Sequence, residues 1–430
     1  QCHSALDTGV VIGPNQRSVD GGAAFATMKK LLYQPLRLLD YLLQLLLPVK
    51  ANRVCYVSSP DYSDNAYFVY RHILETRSKV EHVWLFKNAK IPPRIKREFE
   101  RDVAKAGAQG HSLRVVHKYS IQGYFLYLTS AFCFHTHGGY PFSTNAVRRH
   151  NVCVWHGMPI KCIGRLNKIT PNPFPTFGGL HVATSWFFKY IIAAVFAAKP
   201  ENVLVCSLPR CDALLYESKL ATSRAEIRKL LAVPDDHRLV LWMPTYRTEG
   251  LPKEAGQTQF RSFLDDLPYW VLPELERASS ANGCTLIVKL HQSDMLNHVD
   301  RPQPVQWLRF LKSGEWLSYE VQLYDLIAAS DALISDVSSV LIDYLVTGRQ
   351  IGLLGFDPET YTRELVFPIR YLLDSERFQV MSDAGSLSQF FTDVAAGNHR
   401  PDTPGDIGSI LHDRFSEKGA ESVLRAVGLA

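Results

Sequence analysis

Short apolar runs alternating with segments of helical period constrain this chain more than any other feature of its sequence. Arg53–Ser58, His82–Phe86, Leu113–Val116, Ala131–His135 and Val152–Trp155 are strand-length runs rich in β-branched and aromatic residues, and Asn65–Glu75 between the first two has a helical pattern. A second series runs through Val203–Ser207, Leu239–Met243, Thr285–Leu290, Ala332–Ser335 and Ile351–Leu354. Apolar strands separated by helices call for parallel sheets covered on both faces. One core rarely grows past ~250–300 residues. A chain of 430 residues with two strand series therefore predicts an α/β protein of two doubly wound, Rossmann-like lobes with a cleft between them. The expected lobes are 49–198 and 199–404, with a hinge around Phe187–Pro200.

Composition excludes several classes. Hydrophobic residues make up 46% and charged residues 21%, which fits neither a disordered chain nor a polytopic membrane protein. The formal charge of +5 is small and spread along the chain, so no nucleic-acid partner is expected. The eight cysteines contain no C-x-x-C, and several lie inside apolar runs. They read as buried thiols, with neither a disulfide nor a metal site. His135-Thr136-His137 offers too few ligands for a metal on its own, and no metal or cofactor is expected.

Residues 1–27 are polar, Gly-rich and without periodicity, and read as an extension ahead of Met28-Lys29-Lys30 that lacks a signal-peptide core. Residues 28–48 are expected to form an amphipathic helix. Gln34, Arg37, Asp40 and Gln44 interrupt Leu31–Leu47 at helical spacing as one narrow polar stripe, flanked by Lys29, Lys30 and Lys50. Such a helix is too polar to span a bilayer and suits the headgroup layer. The alternative is a helix packed on its own domain.

In open α/β sheets, ligands bind beyond the carboxyl ends of the strands. Four strand ends carry polar residues there. His156 follows Val152–Trp155 directly and precedes Gly157 and Pro159, and Lys161 lies just beyond. The imidazole is placed to accept a proton from a hydroxyl, or else to be satisfied by nearby backbone. His291 ends the run Leu286–Leu290, with Lys289 before it. Ser335 is followed by Asp336, Ser338 and Ser339 and by a helix expected to begin near Val337, with Asp343 inside it. Hydroxyls and first-turn amides make an anion site at such a helix start, although Asp336 or Ser338 could simply cap the helix. Thr245 and Arg247 follow Leu241–Met243, and Ser63, Asp64 and Asn65 join the first strand to its helix.

In this order the segments resemble the CDP-glycerol glycerophosphotransferase family, which includes teichoic-acid primases and polymerases and capsule synthases. The resemblance rests on the Leu-rich leader, Tyr62-Ser63-Asp64-Asn65, Trp155-His156-Gly157 through Lys161 and Gly164, and Leu208-Pro209-Arg210-Cys211-Asp212. It continues through Met243-Pro244-Thr245-Tyr246-Arg247, Val288-Lys289-Leu290-His291 and Ser335-Asp336-Val337-Ser338-Ser339. The chain departs from the family pattern at Ser59-Pro60-Asp61 and at Gln292. The resemblance implies a GT-B fold whose C-terminal helix, residues 405–430, crosses back to the first lobe. It also implies that His156 is the base and that His291, Ser338 and Ser339 grip the donor pyrophosphate, with Arg247 and Asp336 beside them. Ser63, Asp64, Asn65, Thr245, Lys161 and Asp343 are candidate substrate contacts. The implied partners are a CDP-alditol donor, a lipid-linked or polymer acceptor, and the cytoplasmic face of the cell membrane, where the enzyme would sit peripherally. Two other readings fit the same features: a GT-B glycosyltransferase using a nucleotide sugar, and a noncatalytic membrane-bound scaffold.

Overall fold

The computed structural model describes residues 33–429 except 89, 109, 144–146, 168–177, 219–220, 246–266, 291–306, 312–317, 356–364, 369, 399–405 and 414–416. Two all-parallel sheets organise it. The first contains β1 (Lys50–Val57), β2 (Glu81–Phe86), β3 (Ser112–His117), β4 (Ser130–His135), β5 (His150–Cys153), β6 (Leu180–Ala183) and β7 (Val203–Val205), in the order β3-β2-β1-β4-β5-β6-β7. The second contains β8 (Arg238–Met243), β9 (Cys284–Val288), β10 (Leu308–Phe310), β11 (Ala332–Ser335), β12 (Gln350–Leu354) and β13 (Gln379–Met381), in the order β10-β9-β8-β11-β12-β13. Every residue of β2, β4, β9, β11 and β12 is buried, as strands covered on both faces must be.

The two sheets share one winding. Each reverses direction between its first and fourth strands, β1/β4 and β8/β11, and that reversal opens a crevice at the strand carboxyl ends.

The chain changes sheets later than its hydrophobic pattern suggests. Val203–Val205, expected to open the second lobe, pairs in parallel with β6. The Trp186–Phe196 helix within the expected hinge packs on β6 and β7 instead. Its end is set by Ala197, in the left-handed conformation at φ +49°. A three-residue strand carries no signal of which sheet will accept it.

The C-terminal segment returns to the first lobe. The Ile407–Leu411 helix contacts the Trp186–Phe196 helix, and Thr184 donates to the Leu411 carbonyl at 2.6 Å. The Gly419–Ala426 helix packs on the Asp64–Thr76 helix, and Asp212 accepts its first two amides at 2.6 and 3.0 Å. The Gly419 position is confined as well, since a Cβ there would lie 2.3 Å from the Ser207 carbonyl.

The leader forms a helix over residues 33–46 that lies on the first lobe with Asp40 and Gln44 of its polar stripe inward, Arg37 half-buried and Gln34 exposed. Asp40 and Gln44 are buried, at 2% and 1% exposure. Gln44 donates to Asp40, Tyr124 donates to Asp40 at 2.7 Å, and the Val147 amide donates to Gln44 at 2.9 Å. Leu43 and Leu47 join the small core beside β1. Leu36, Leu38, Leu39, Tyr41, Leu42, Leu45 and Leu46 point to solvent, and Leu46 is 77% exposed. Among the described residues no helix is long and apolar enough to cross a membrane.

Candidate active site

The two crevices face each other across one cavity of about 540 Å³. Pro60, Trp155, His156, Gly157 and Lys161 line it from the first lobe, and Thr245, Lys289, Val337, Ser338 and Ser339 line it from the second. Gly157 and Ser339, 182 positions apart, thus meet because each lobe turns its strand ends toward the other.

On the first wall β5 ends at Cys153 and the chain turns sharply. Trp155 adopts φ +47°, a left-handed conformation that costs an aromatic residue energy and persists only where its surroundings hold it. Asn65 provides part of that hold. Its amide donates to the carbonyls of Val154 and Trp155 at 3.2 and 2.9 Å, and its oxygen accepts from the Arg210 amide at 3.0 Å. His156 follows. Its ring stacks on His137 at 4.4 Å with an interplanar angle of 3°, and its buried Nδ1 has no hydrogen-bond partner among the described residues. Burial, then the neighbouring His137 and the Arg210 charge, hold the imidazole well below the ordinary histidine range. It is neutral at pH 7, with a nitrogen available to take a proton.

Gly157 shows why a glycine follows. It sits at φ +137°, and a Cβ there would lie 2.7 Å from both Arg210 Nη2 and Ser339 Oγ. The second lobe leaves no room for a side chain. Beyond it, Lys161 pairs with Leu365 of the second lobe in an antiparallel bridge, and the Val366 amide donates to the Ile160 carbonyl at 2.9 Å.

The second wall is hydroxylic and cationic. The helix expected near Val337 begins at Val340 and runs to Tyr344, so Ser338 and Ser339 stand ahead of it. The Ser338 amide turns back to the Asp336 carbonyl at 2.9 Å, which delays the first helical turn. Lys289, half-buried at the end of β9, has its ammonium pushed down to about 8 by burial and by the Arg94 charge. It still carries its proton at pH 7. Its place on this wall was only weakly signalled by the sequence. His291 and Arg247, expected here, lie outside the described residues.

Other expected contacts serve the protein itself. Asp336 directs one carboxylate oxygen to the Thr245 amide and the other to the Thr245 hydroxyl, so it shapes the turn that presents Thr245. Ser63 donates to the Pro60 carbonyl at 2.7 Å. Asn65 and Asp343 are fully buried and unable to reach a ligand in the cavity. Asp64 and Asp343 both pair with Arg210, at 2.8 and 2.5 Å. Arg210 went unassigned in the sequence reading because its partners lie 146 and 133 residues away. Among the described residues no group of three or more His, Cys, Asp or Glu side chains could hold a metal ion.

Two doubly wound lobes that close on an uncommitted histidine and a cationic, hydroxyl-lined wall have the architecture of a GT-B-like group-transfer enzyme. Residues 39–374 match the CDP-glycerol:poly(glycerophosphate) glycerophosphotransferase family, and the chain belongs to that family. It is 22% identical over 334 residues to the teichoic acid poly(glycerol phosphate) polymerase of Staphylococcus epidermidis, covering 73% of this chain and 41% of that one. It is 24% identical over 318 residues to the teichoic acid glycerol-phosphate transferase of Staphylococcus aureus, covering 71% and 73%. The chain spans less than half the length of the teichoic acid polymerases it matches. Its fold resembles the structure of the wall teichoic acid polymerase TagF, with TM-score 0.66 and 16% identity over 94% of this chain and 96% of that one.

Proposed function

We propose that the chain transfers an alditol phosphate, glycerol phosphate first among them, from a CDP-activated donor to a hydroxyl of a lipid-linked or polymer acceptor in the synthesis of a teichoic-acid or capsule-like polymer. The observation that carries this reading is the neutral His156 facing Lys289, Ser338 and Ser339 across one cavity. An acceptor hydroxyl gives its proton to His156 while its oxygen attacks the phosphorus bearing the alditol. The bond from that phosphorus to the CMP oxygen breaks, and a phosphodiester forms. Charge growing on the departing CMP phosphate meets the Lys289 ammonium and the two serine hydroxyls. In the proposal His291 and Arg247 also contact the donor phosphates, as the family resemblance implies. No cofactor is called for beyond the activated donor.

The exposed leucine face suits the acceptor's setting. A helix that buries Asp40 and Gln44 and turns its leucines outward has no solvent-facing reason for that pattern, and an anionic bilayer surface supplies one. Ile121 and Phe125, on the helix that carries Tyr124, are exposed as well. The proposed location is the cytoplasmic face of the cell membrane, as a peripheral protein. Deleting residues 28–47 abolishes liposome flotation on this reading, and a deletion variant that floats like the full chain removes it.

Incubation with CDP-glycerol, CDP-ribitol and a panel of nucleotide sugars in membrane extract tests the activity. CMP release from a CDP-alditol supports the proposal. Nucleotide release from a sugar donor alone replaces it with glycosyl transfer, and binding of donor without release from any of them points to a scaffold.

A further inference from the structure

We propose that Arg210 is a positioning residue for this reaction, locking the turn that carries His156 to the segment that carries Ser338 and Ser339 and so fixing the gap across which the phosphate is passed. The inference rests on the transfer reading above. Arg210 lies between the lobes at 6% exposure. Its guanidinium reaches Asp64 of the first lobe through Nη1 at 2.8 Å and Asp343 of the second through Nη2 at 2.5 Å. It also lies over the Tyr324 ring, 4.6 Å from the centroid, and the Tyr324 hydroxyl donates to Asp343. Asp343 belongs to the Val340–Tyr344 helix that directly follows Ser339. The same Nη2 and Ser339 Oγ each lie 2.7 Å from where a Cβ on Gly157 would sit. One planar group therefore closes off the space beside Gly157, next to the base, and pairs with the helix behind the serines and with the start of the Asp64–Thr76 helix, whose Asn65 holds the Trp155 turn.

This arrangement differs from a general interlobe brace. The bridge between Arg71 and Asp325, at 3.0 Å and equally buried, also joins the lobes, but it is Arg210 whose Nη2 lies 2.7 Å from where a Cβ on Gly157, the residue after His156, would sit. A rigid fork that satisfies two carboxylates at fixed separation sets geometry in a way a lysine cannot. Misplacement by about 1 Å at a reacting centre can cost ~10²-fold in rate.

Asp64→Asn and Arg210→Gln in the full chain test the proposal, alone and combined. The readouts are kcat and KM for CMP release from CDP-glycerol, the melting temperature, and the titration of the His156 imidazole followed by NMR. The titratable and charged groups facing that imidazole are His137, itself pushed down to about 4 by burial, and Arg210, with Lys161 and Lys289 on the same cavity. Asp64 lies outside the buried core, so Asp64→Asn is expected to melt close to the parent. Its kcat should fall by about tenfold or more with KM nearly unchanged, and the combined variant should lose less than the sum of the two. In Arg210→Gln the His156 titration moves upward as the cation leaves. Unchanged kcat in a folded Asp64→Asn variant overturns the proposal. So does a loss of kcat that only tracks the loss of folded protein with the His156 titration unmoved. If the parent chain releases no CMP from CDP-glycerol, the transfer reading fails, and the imidazole titration still judges whether Arg210 governs the His156 turn.

Discussion

The two walls of the cavity do opposite electrostatic work from the same fold. In each lobe the crevice opens where the strand order reverses, yet the first wall presents a histidine kept neutral and the second presents a cation and hydroxyls. The neutral histidine is made by burial, by ring stacking and by a guanidinium close enough to disfavour a second positive charge. The cationic wall is made by a lysine whose proton is retained at pH 7 although burial weakens its hold. A base and an anion clamp need opposite protonation behaviour, and duplicated winding supplies two pockets that can be set independently.

The sharpest way to break that contrast is to remove the base. His156→Ala is expected to lower kcat by ~10²–10⁴ while CDP-glycerol still binds within a few-fold of the parent. Single-turnover CMP release measured beside calorimetry checks both. Near-normal turnover in a folded variant would sink the assignment.

Altering the second wall should do the reverse. Replacing Ser338 and Ser339 together by alanine removes two donors to a charged phosphate, each worth ~1.5–3 kcal/mol. Donor affinity should fall more than tenfold while the acid limb of the pH profile stays where it was. Unchanged binding would show that these hydroxyls only precede a helix.

Gly157→Ala places a methyl group against Arg210 and Ser339 at an unfavourable φ, and strain of this kind costs ~1–3 kcal/mol. Lower melting temperature and weaker transfer are both expected, and thermal melts with kinetics on the folded fraction separate them. The smallest effect is in pH. The ammonium of Lys289 is charged below about 8 and loses its proton as pH rises through that value. The kcat/KM for donor should therefore decline above pH 8. His156, depressed below the usual range, should leave kcat/KM level down to pH 6.5. Removing Lys289 by Lys289→Met should abolish the alkaline decline and lower kcat/KM throughout.

Much of this was legible in the sequence, and the exceptions have physical causes. Strand-length apolar runs ending in His156 and in Ser335 announce the two lobes and the two walls, because parallel sheets place ligands beyond strand ends. Sheet membership was misread at Val203–Val205, since a three-residue apolar run fits either sheet. Periodicity also located the leader's polar stripe but could not say which side faces the protein; Tyr124 and the Val147 amide, remote in sequence, turn Asp40 and Gln44 inward. Asp64, in the turn before a helix, and Asp343, inside one, were candidate substrate contacts by resemblance, and nothing local in the sequence pairs either with a cation. Only the fold reveals that Arg210 holds both.

The measurement that tests the account most directly is a paired one: calorimetric titration with CDP-glycerol and CMP release in membrane extract, on His156→Ala and on the Ser338→Ala, Ser339→Ala double variant. The account predicts a crossed result, in which the histidine variant binds donor and does not turn it over while the serine variant loses donor affinity. Normal turnover without His156, or equal loss of binding in both variants, would contradict the division of labour between the two walls.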